Sequence, residues 1–99
     1  MKKRTKKLTL PTEDTSWQRL DKFLFFARFC KSREAAAALI AKGSVRINRL
    51  PTEKPHAKLR LDDVLTLPLP GGVRVVRVRA LARRRGPAVE AALLYEELA

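Results

Sequence analysis

Lys31, Ser32 and Arg33 follow one another in the chain, an ammonium, a hydroxyl and a guanidinium together. That combination suits a phosphate group, which accepts charge-assisted hydrogen bonds from all three. If a helix begins here, Ser32 is its N-cap, and the free backbone N–H groups and positive dipole end favour an anion. Other cations recur at the ends of elements: Arg19, Lys22 and Arg28 before this point, then Lys42 beside Gly43, Arg46, and Arg49 after Asn48. The chemistry is the gripping of a polyanion, not the making or breaking of bonds.

No catalytic set accompanies these cations. His56 is the single histidine, lies in a Pro-flanked loop and has no second ligand-type partner, so no metal site is expected. Cys30 ends an aromatic-rich stretch and reads as a packed residue. Asp62 and Asp63 are neighbours that point apart on an extended chain. Gly71-Gly72 lacks the Lys-Ser pair of a phosphate-binding loop. The chain reads as a non-enzyme without a cofactor.

With 99 residues there is room for one domain, and a hydrophobic fraction of 45% is ordinary for a folded one. The charge is not ordinary: 22 Lys and Arg against 10 Asp and Glu give +12. Nucleic acid is the first partner such a surface implies, and an anionic membrane surface the second. A single cysteine excludes an intrachain disulfide and fits a reducing compartment. The N-terminal MKKRTKKLTLPTED has no apolar stretch behind its charges, and no run approaches the ~18 apolar residues of a membrane span. A soluble, cytoplasmic monomer that does not engage membranes is expected.

The elements that must position the cations follow from periodicity. Residues 1–16 read as a flexible basic tail carrying Lys2, Lys3, Arg4, Lys6 and Lys7. Ser16 is read as the N-cap of a helix over 17–30, with Leu20, Phe23, Leu24 and Ala27 as its apolar stripe, widened by Phe25, Phe26 and Phe29. Ser32 caps a second helix through Ala35 to Ala38, Leu39 and Ile40, ended by Lys42 and a glycine at 43. Val45 to Asn48 then alternates as a strand, and a polar loop with Pro51 and Pro55 follows. Val64 to Leu67 is a second strand, Pro70-Gly71-Gly72 a turn, and 73–81 the longest strand, with Val76, Val78 and Ala80 on its buried face and Arg77 and Arg79 opposite. Pro87 opens a helix from Ala88 to Leu98 with Val89, Ala92, Leu93 and Leu98 inward. The fold class is α+β: two N-terminal helices packed on a small, mostly antiparallel curved sheet, plus a short C-terminal helix. Its parts are the tail, a core over 17–68, and a strand and helix over 69–99 that complete the same domain.

The stretch Arg19 to Asn48, RLDKFLFFARFCKSREAAAALIAKGSVRIN, resembles the RNA-binding domain first known in small-subunit ribosomal protein four, the alpha-L motif. The likeness rests on Arg19-Leu20-Asp21-Lys22, Ser32-Arg33, Leu39-Ile40, Gly43-x-Val45-x-Ile47-Asn48 and Asp63-Val64-Leu65, in order and spacing. Arg84-Arg85-Gly86-Pro87 followed by Glu90-Ala91-Ala92-Leu93-Leu94-Tyr95-Glu96-Glu97 is similar to the ribosome-associated heat-shock protein fifteen family. The resemblance implies binding to structured RNA, and in the heat-shock branch to the large ribosomal subunit carrying a stalled nascent chain. It implies an RNA-contacting set of Arg19, Lys22, Arg28, Lys31, Ser32, Arg33, Lys42, Gly43, Arg46, Asn48 and Arg49. Arg19 and Arg33 are expected on one exposed rim, so that reversing either charge costs only about 0.5 kcal/mol of stability.

Three departures from the family pattern carry expectations. Asn48-Arg49 stands where Asn-Gly is usual, so Arg49 takes a strained turn or the turn is of another type. Asp62-Asp63 stands where Gly-Asp is usual. Ala37 and Ala38 replace polar residues of the second helix, and Arg74, Arg77 and Arg79 are expected to compensate. The long basic C-terminal extension of the heat-shock branch is not part of these residues. An accessory module for an RNA-modifying enzyme, a duplex DNA binder and a chaperone-like ribosome partner are the alternatives at this point. Deleting residues 1–15 should leave the melting temperature unchanged and weaken RNA affinity modestly, as long-range attraction falls. Loss of the folded state on truncation would show the tail to be structural.

Overall fold

The computed structural model describes residues 16–98, so the tail reading lies almost wholly outside the described residues. The first surprise is local. Trp17–Arg19 forms a strand, β1, and the helix α1 runs only over Leu20–Phe26. Ser16 therefore does not cap the helix. The capping comes from across the fold: the Leu20 N–H donates to the Ala57 carbonyl at 2.9 Å and the Asp21 N–H to the Pro55 carbonyl at 3.0 Å. A loop does here what a polar N-cap does elsewhere. The helix stops because Arg28 adopts φ 66°. The Arg28 N–H donates to the Phe25 carbonyl and the Phe29 N–H to the Leu24 carbonyl, which is a Schellman closure with arginine where glycine is usual. Arg28 Nε donates to the Gly86 carbonyl at 2.8 Å, anchoring the C-terminal segment to that turn.

The second helix, α2 (Arg33–Ala41), agrees with the sequence reading. The Ala35 N–H donates to Ser32 Oγ at 3.0 Å, and Gly43 follows the last turn at φ 82°. Strand β2 (Val45–Ile47) turns through Asn48 and Arg49 into β3 (Leu50–Thr52), a strand in what the sequence suggested was a loop. Pro51 is tolerated because β3 is the sheet edge. A further short strand, β4 (Lys58–Arg60), pairs antiparallel with β1 and was likewise unforeseen. The main sheet continues with β5 (Val64–Leu69), β6 (Gly72–Val78) and β7 (Tyr95–Glu97), in the order β3-β2-β5-β6-β7, antiparallel throughout.

The expected helix from Ala88 to Leu98 is mostly not one. Pro87 is the N-cap, α3 spans only Ala88–Ala91, a single 3-10 turn covers Ala92–Leu94, and the chain then joins the sheet as β7. Its inner face is Ala91 and Leu94, whereas Val89 and Leu93 are exposed. Pairing with β6 supplies hydrogen bonds along Tyr95–Glu97 that outweigh the weak helical preference of so short a segment. The helices and one sheet face close on Leu20, Phe23, Leu24, Ile40, Leu65 and Val76, all fully buried. Ala80 lies beyond the end of β6, so only Val76 and Val78 of its expected inner row are strand residues in the core.

Asn48 and Arg49 both take positive φ, 51° and 75°. The β2–β3 connection is thus a two-residue turn of the I′ kind with arginine in the glycine position. Replacing Arg49 by glycine should raise stability by about 0.5–1 kcal/mol, read from thermal or denaturant unfolding. A destabilised Arg49→Gly protein would show that the arginine side chain is itself needed by the fold.

Candidate nucleic-acid interface

The site is organised by a residue that the sequence reading quoted but assigned no role. Asp21 lies in the first turn of α1, and its side chain is only 5% exposed. Arg19 grips it with two bonds, Nε to Oδ1 at 3.1 Å and Nη2 to Oδ2 at 2.9 Å. Arg33, at the first position of α2, reaches Oδ2 from the other side at 3.5 Å. The Lys22 N–H completes the set, donating to Oδ1 at 2.8 Å. One buried carboxylate thus ties the end of β1 to the starts of both helices.

Burial alone would raise the pKa of Asp21. The hydrogen bonds from Arg19 and the charges of Arg19 and Arg33 outweigh that and hold it below the ordinary 3.8. The arginines themselves remain 42% and 43% exposed. Arg19 donates two of its roughly five N–H bonds to Asp21, and the others face outward or to solvent. The expected exposed rim needs correcting in one respect. Arg19 and Arg33 share a partner below the surface, so a reversed charge at either puts a second carboxylate against Asp21 and costs more than a surface change.

The other residues of the expected set fall into two groups. Lys31 is exposed beside the Ser32 cap, Lys22 is half-buried on α1, and Lys42 is exposed at the far end of α2. Arg46 and Arg49 are exposed on β2 and its turn. None of these side chains has an acidic partner among the described residues. The second group is occupied. Arg28 is bonded to Gly86. Asn48 Nδ2 donates to Asp63 Oδ1, and its Oδ1 accepts from the Val64 N–H, both at 2.9 Å, so the side chain clasps the hairpin to β5. Gly43 sits against Glu53, where a Cβ would come within 3.3 Å of the carboxylate.

Of the arginines expected to compensate on β6, Arg74 and Arg79 are engaged. Arg74 forms a two-point bridge to Glu97 (2.6 and 3.1 Å) and lies 5.0 Å over the Phe29 ring. Its pKa is raised, chiefly by the Glu97 hydrogen bonds, and that of Glu97 is lowered in turn by them. Arg79 approaches Glu96 at 3.6 Å. Only Arg77 is without an acidic partner. Cys30 is half-buried and its thiol pKa is pushed up by burial, away from reactive thiolate.

Known proteins resemble this chain in sequence and in fold. The S4 domain family matches residues 18–65, a span that contains every residue of the expected RNA-contacting set. Heat shock protein 15 of Escherichia coli K12 is 46% identical over 81 residues, 82% of this chain and 60% of the relative. The heat shock protein 15 homolog of Haemophilus influenzae is 37% identical over 79 residues, 80% of this chain and 60% of the relative. A solved structure of Vibrio cholerae Heat Shock Protein 15, described as trimeric, superposes with a TM-score of 0.79 at 31% identity, covering 84% of this chain and 83% of that one. The chain belongs to the heat shock protein 15 family. It spans about 60% of the length of the curated family members it matches. Within the family fold, the Arg19–Asp21–Arg33 fork lies in the S4 part, while β6, β7 and α3 lie outside it.

Because the Asp21 pKa is lower folded than unfolded, the fork contributes stability that is present above the ordinary carboxylate pKa and is lost as pH falls through the folded value. The wild-type melting temperature should therefore drop more steeply between pH of about 5 and about 3 than that of Asp21→Asn. At pH 7 the variant should be less stable by about 1–2 kcal/mol, a figure reduced for the half-exposure of both arginines. Equal acid slopes for the two proteins would remove Asp21 from this role.

Proposed function

We propose that this chain is a non-catalytic RNA-binding protein that recognises structured ribosomal RNA through its phosphate backbone and shape. The observation that carries the reading is the guanidinium fork of Arg19 and Arg33, fixed by the buried Asp21 of α1. A held arginine loses little freedom on binding, so its remaining N–H groups meet a phosphate without further ordering. The helix end adds to this. Ser32 Oγ is taken by Ala35, and the Arg33 and Glu34 N–H groups have no acceptor among the described residues.

In this reading Arg19, Lys22, Lys31, Arg33, Lys42, Arg46 and Arg49 contact phosphates. Ser32, Arg28, Gly43 and Asn48 shape the surface that presents them. Residues 17–68 form the binding core, and 69–99 complete its sheet. The family's names support a ribosomal and stress-related setting. The finer reading is a cytoplasmic factor on the large subunit with a stalled nascent chain, tested by co-sedimentation with isolated subunits. The state proposed to bind is the monomer, and sedimentation with and without RNA tests it.

The decisive comparison keeps Asp21 partnered. Lys31→Glu with Arg33→Gln should weaken binding to a hairpin RNA at least tenfold, because contact is replaced by repulsion at the fork. Arg83→Glu with Arg84→Gln makes the same charge change elsewhere and should cost less than about threefold. Equal losses in variants of matched melting temperature would leave only a diffuse basic surface. With about five phosphate contacts, the log–log salt slope should be roughly −3.5 to −4.5, and a flat response would refute the electrostatic account. Competition with duplex DNA at matched salt separates this reading from a DNA binder.

A further inference from the structure

The ribbon formed by β1 and β4 carries three side chains, Trp17, Lys58 and Arg60, that the phosphate grip does not use. In its register Trp17 lies opposite Arg60 and Arg19 opposite Lys58, so these four side chains share one face. The alternate residues turn inward: Leu59 is fully buried and Gln18 Nε2 donates to the Ala82 carbonyl at 2.7 Å. Trp17 is the chain's single tryptophan, yet it belongs neither to the buried core nor to the apolar residues packed on it. Its ring meets a cation instead, with Lys58 Nζ 4.7 Å from the centroid. The Lys58 and Arg60 side chains are exposed and have no acidic partner among the described residues. Arg19, the fourth member, is also one arm of the Asp21 fork, so ribbon and grip are one continuous surface.

We propose that this face is a nucleotide-stacking site, where an unpaired base of the bound RNA lies against Trp17 while Lys58 and Arg60 hold its flanking phosphates. The proposal rests on the RNA-binding reading and narrows its substrate to structured RNA with an unpaired nucleotide next to the gripped helix. An acidic peptide would satisfy the cations but leave the indole without a partner. A base supplies both a π-face and the neighbouring phosphates, and the half-buried indole can stack on any base through its open face.

The single tryptophan makes the test direct. The full chain is titrated with a hairpin RNA carrying a four-nucleotide single-stranded overhang, with the same hairpin blunt-ended, and with polyglutamate. Trp17 emission should be quenched by the overhang hairpin and not by the blunt one, and the overhang should tighten binding about tenfold. Trp17→Leu should abolish that tenfold preference while leaving affinity for the blunt hairpin unchanged, and Trp17→Phe should keep most of it. Equal binding of both hairpins without selective quenching would overturn the stacking site and leave the phosphate grip standing. Failure of both hairpins to bind at low salt would overturn the RNA reading and this site with it. Equivalent quenching by polyglutamate would assign the face to acidic protein instead.

Discussion

A buried carboxylate must be compensated, and in this chain the compensation of Asp21 fixes where three elements begin. Left alone at that depth, the charge would cost several kcal/mol and be neutralised by a proton. Arg19 from β1 and Arg33 from α2 keep it ionised. For both to reach it, the end of β1 and the N-terminus of α2 must converge on the first turn of α1. The loop carbonyls of Pro55 and Ala57 that cap α1 fall into place beside them. The same convergence puts two guanidiniums and a free helix N-terminus on one surface, so the constraint that shapes the fold also shapes the anion-binding face.

The large positive charge is divided by partnership more than by position in the sequence. Arg74 and Arg79 close β7 onto β6 through Glu97 and Glu96, and Arg74 also covers Phe29 and Tyr95. Arg85 donates to the Phe25 carbonyl and lies 4.7 Å over the Phe25 ring, and Arg28 holds Gly86. These side chains attach the C-terminal third of the chain to the helices. They are mortar, with little left to offer a ligand. Lys22, Lys31, Lys42, Arg46 and Arg49, which have no acidic partner among the described residues, lie in the S4 span, while Arg77 lies outside it.

Local strain accompanies the pattern. Arg28, Asn48, Arg49 and Asp62 all occupy positive φ without being glycine. Three of the four are retained by a hydrogen bond at the same place. Arg28 has its bond to Gly86, Asn48 its clasp on Asp63 and Val64, and the Asp62 N–H donates to the Val78 carbonyl at 2.9 Å. For Arg49 no such partner is seen among the described residues. Its backbone strain sits beside a guanidinium with no acidic partner among the described residues, on the face proposed to bind RNA.

The sequence by itself determined what local interactions control. The Ser32 cap and Gly43 stop delimit α2 because both act through bonds within four residues of themselves. Alternation marked β2, β5 and β6 because a strand with one buried face must repeat every second residue. The exposed Lys31 and Arg33 at the start of α2 and Lys42 at its end were legible from residue type and from their place at helix ends. Only the tertiary structure decided the rest, since the deciding partners are distant in the chain. Trp17–Arg19 became a strand because Lys58–Arg60 pairs with it, some forty residues on. Tyr95–Glu97 left a helical pattern because β6 offered an unpaired edge. Asp21 looked like an ordinary first-turn acid until Arg33 was folded against it. Trp17 met Lys58 only because the ribbon brought their strands side by side. A local pattern records which face a residue prefers, but which non-local edge or charge will meet it is set only when the chain closes.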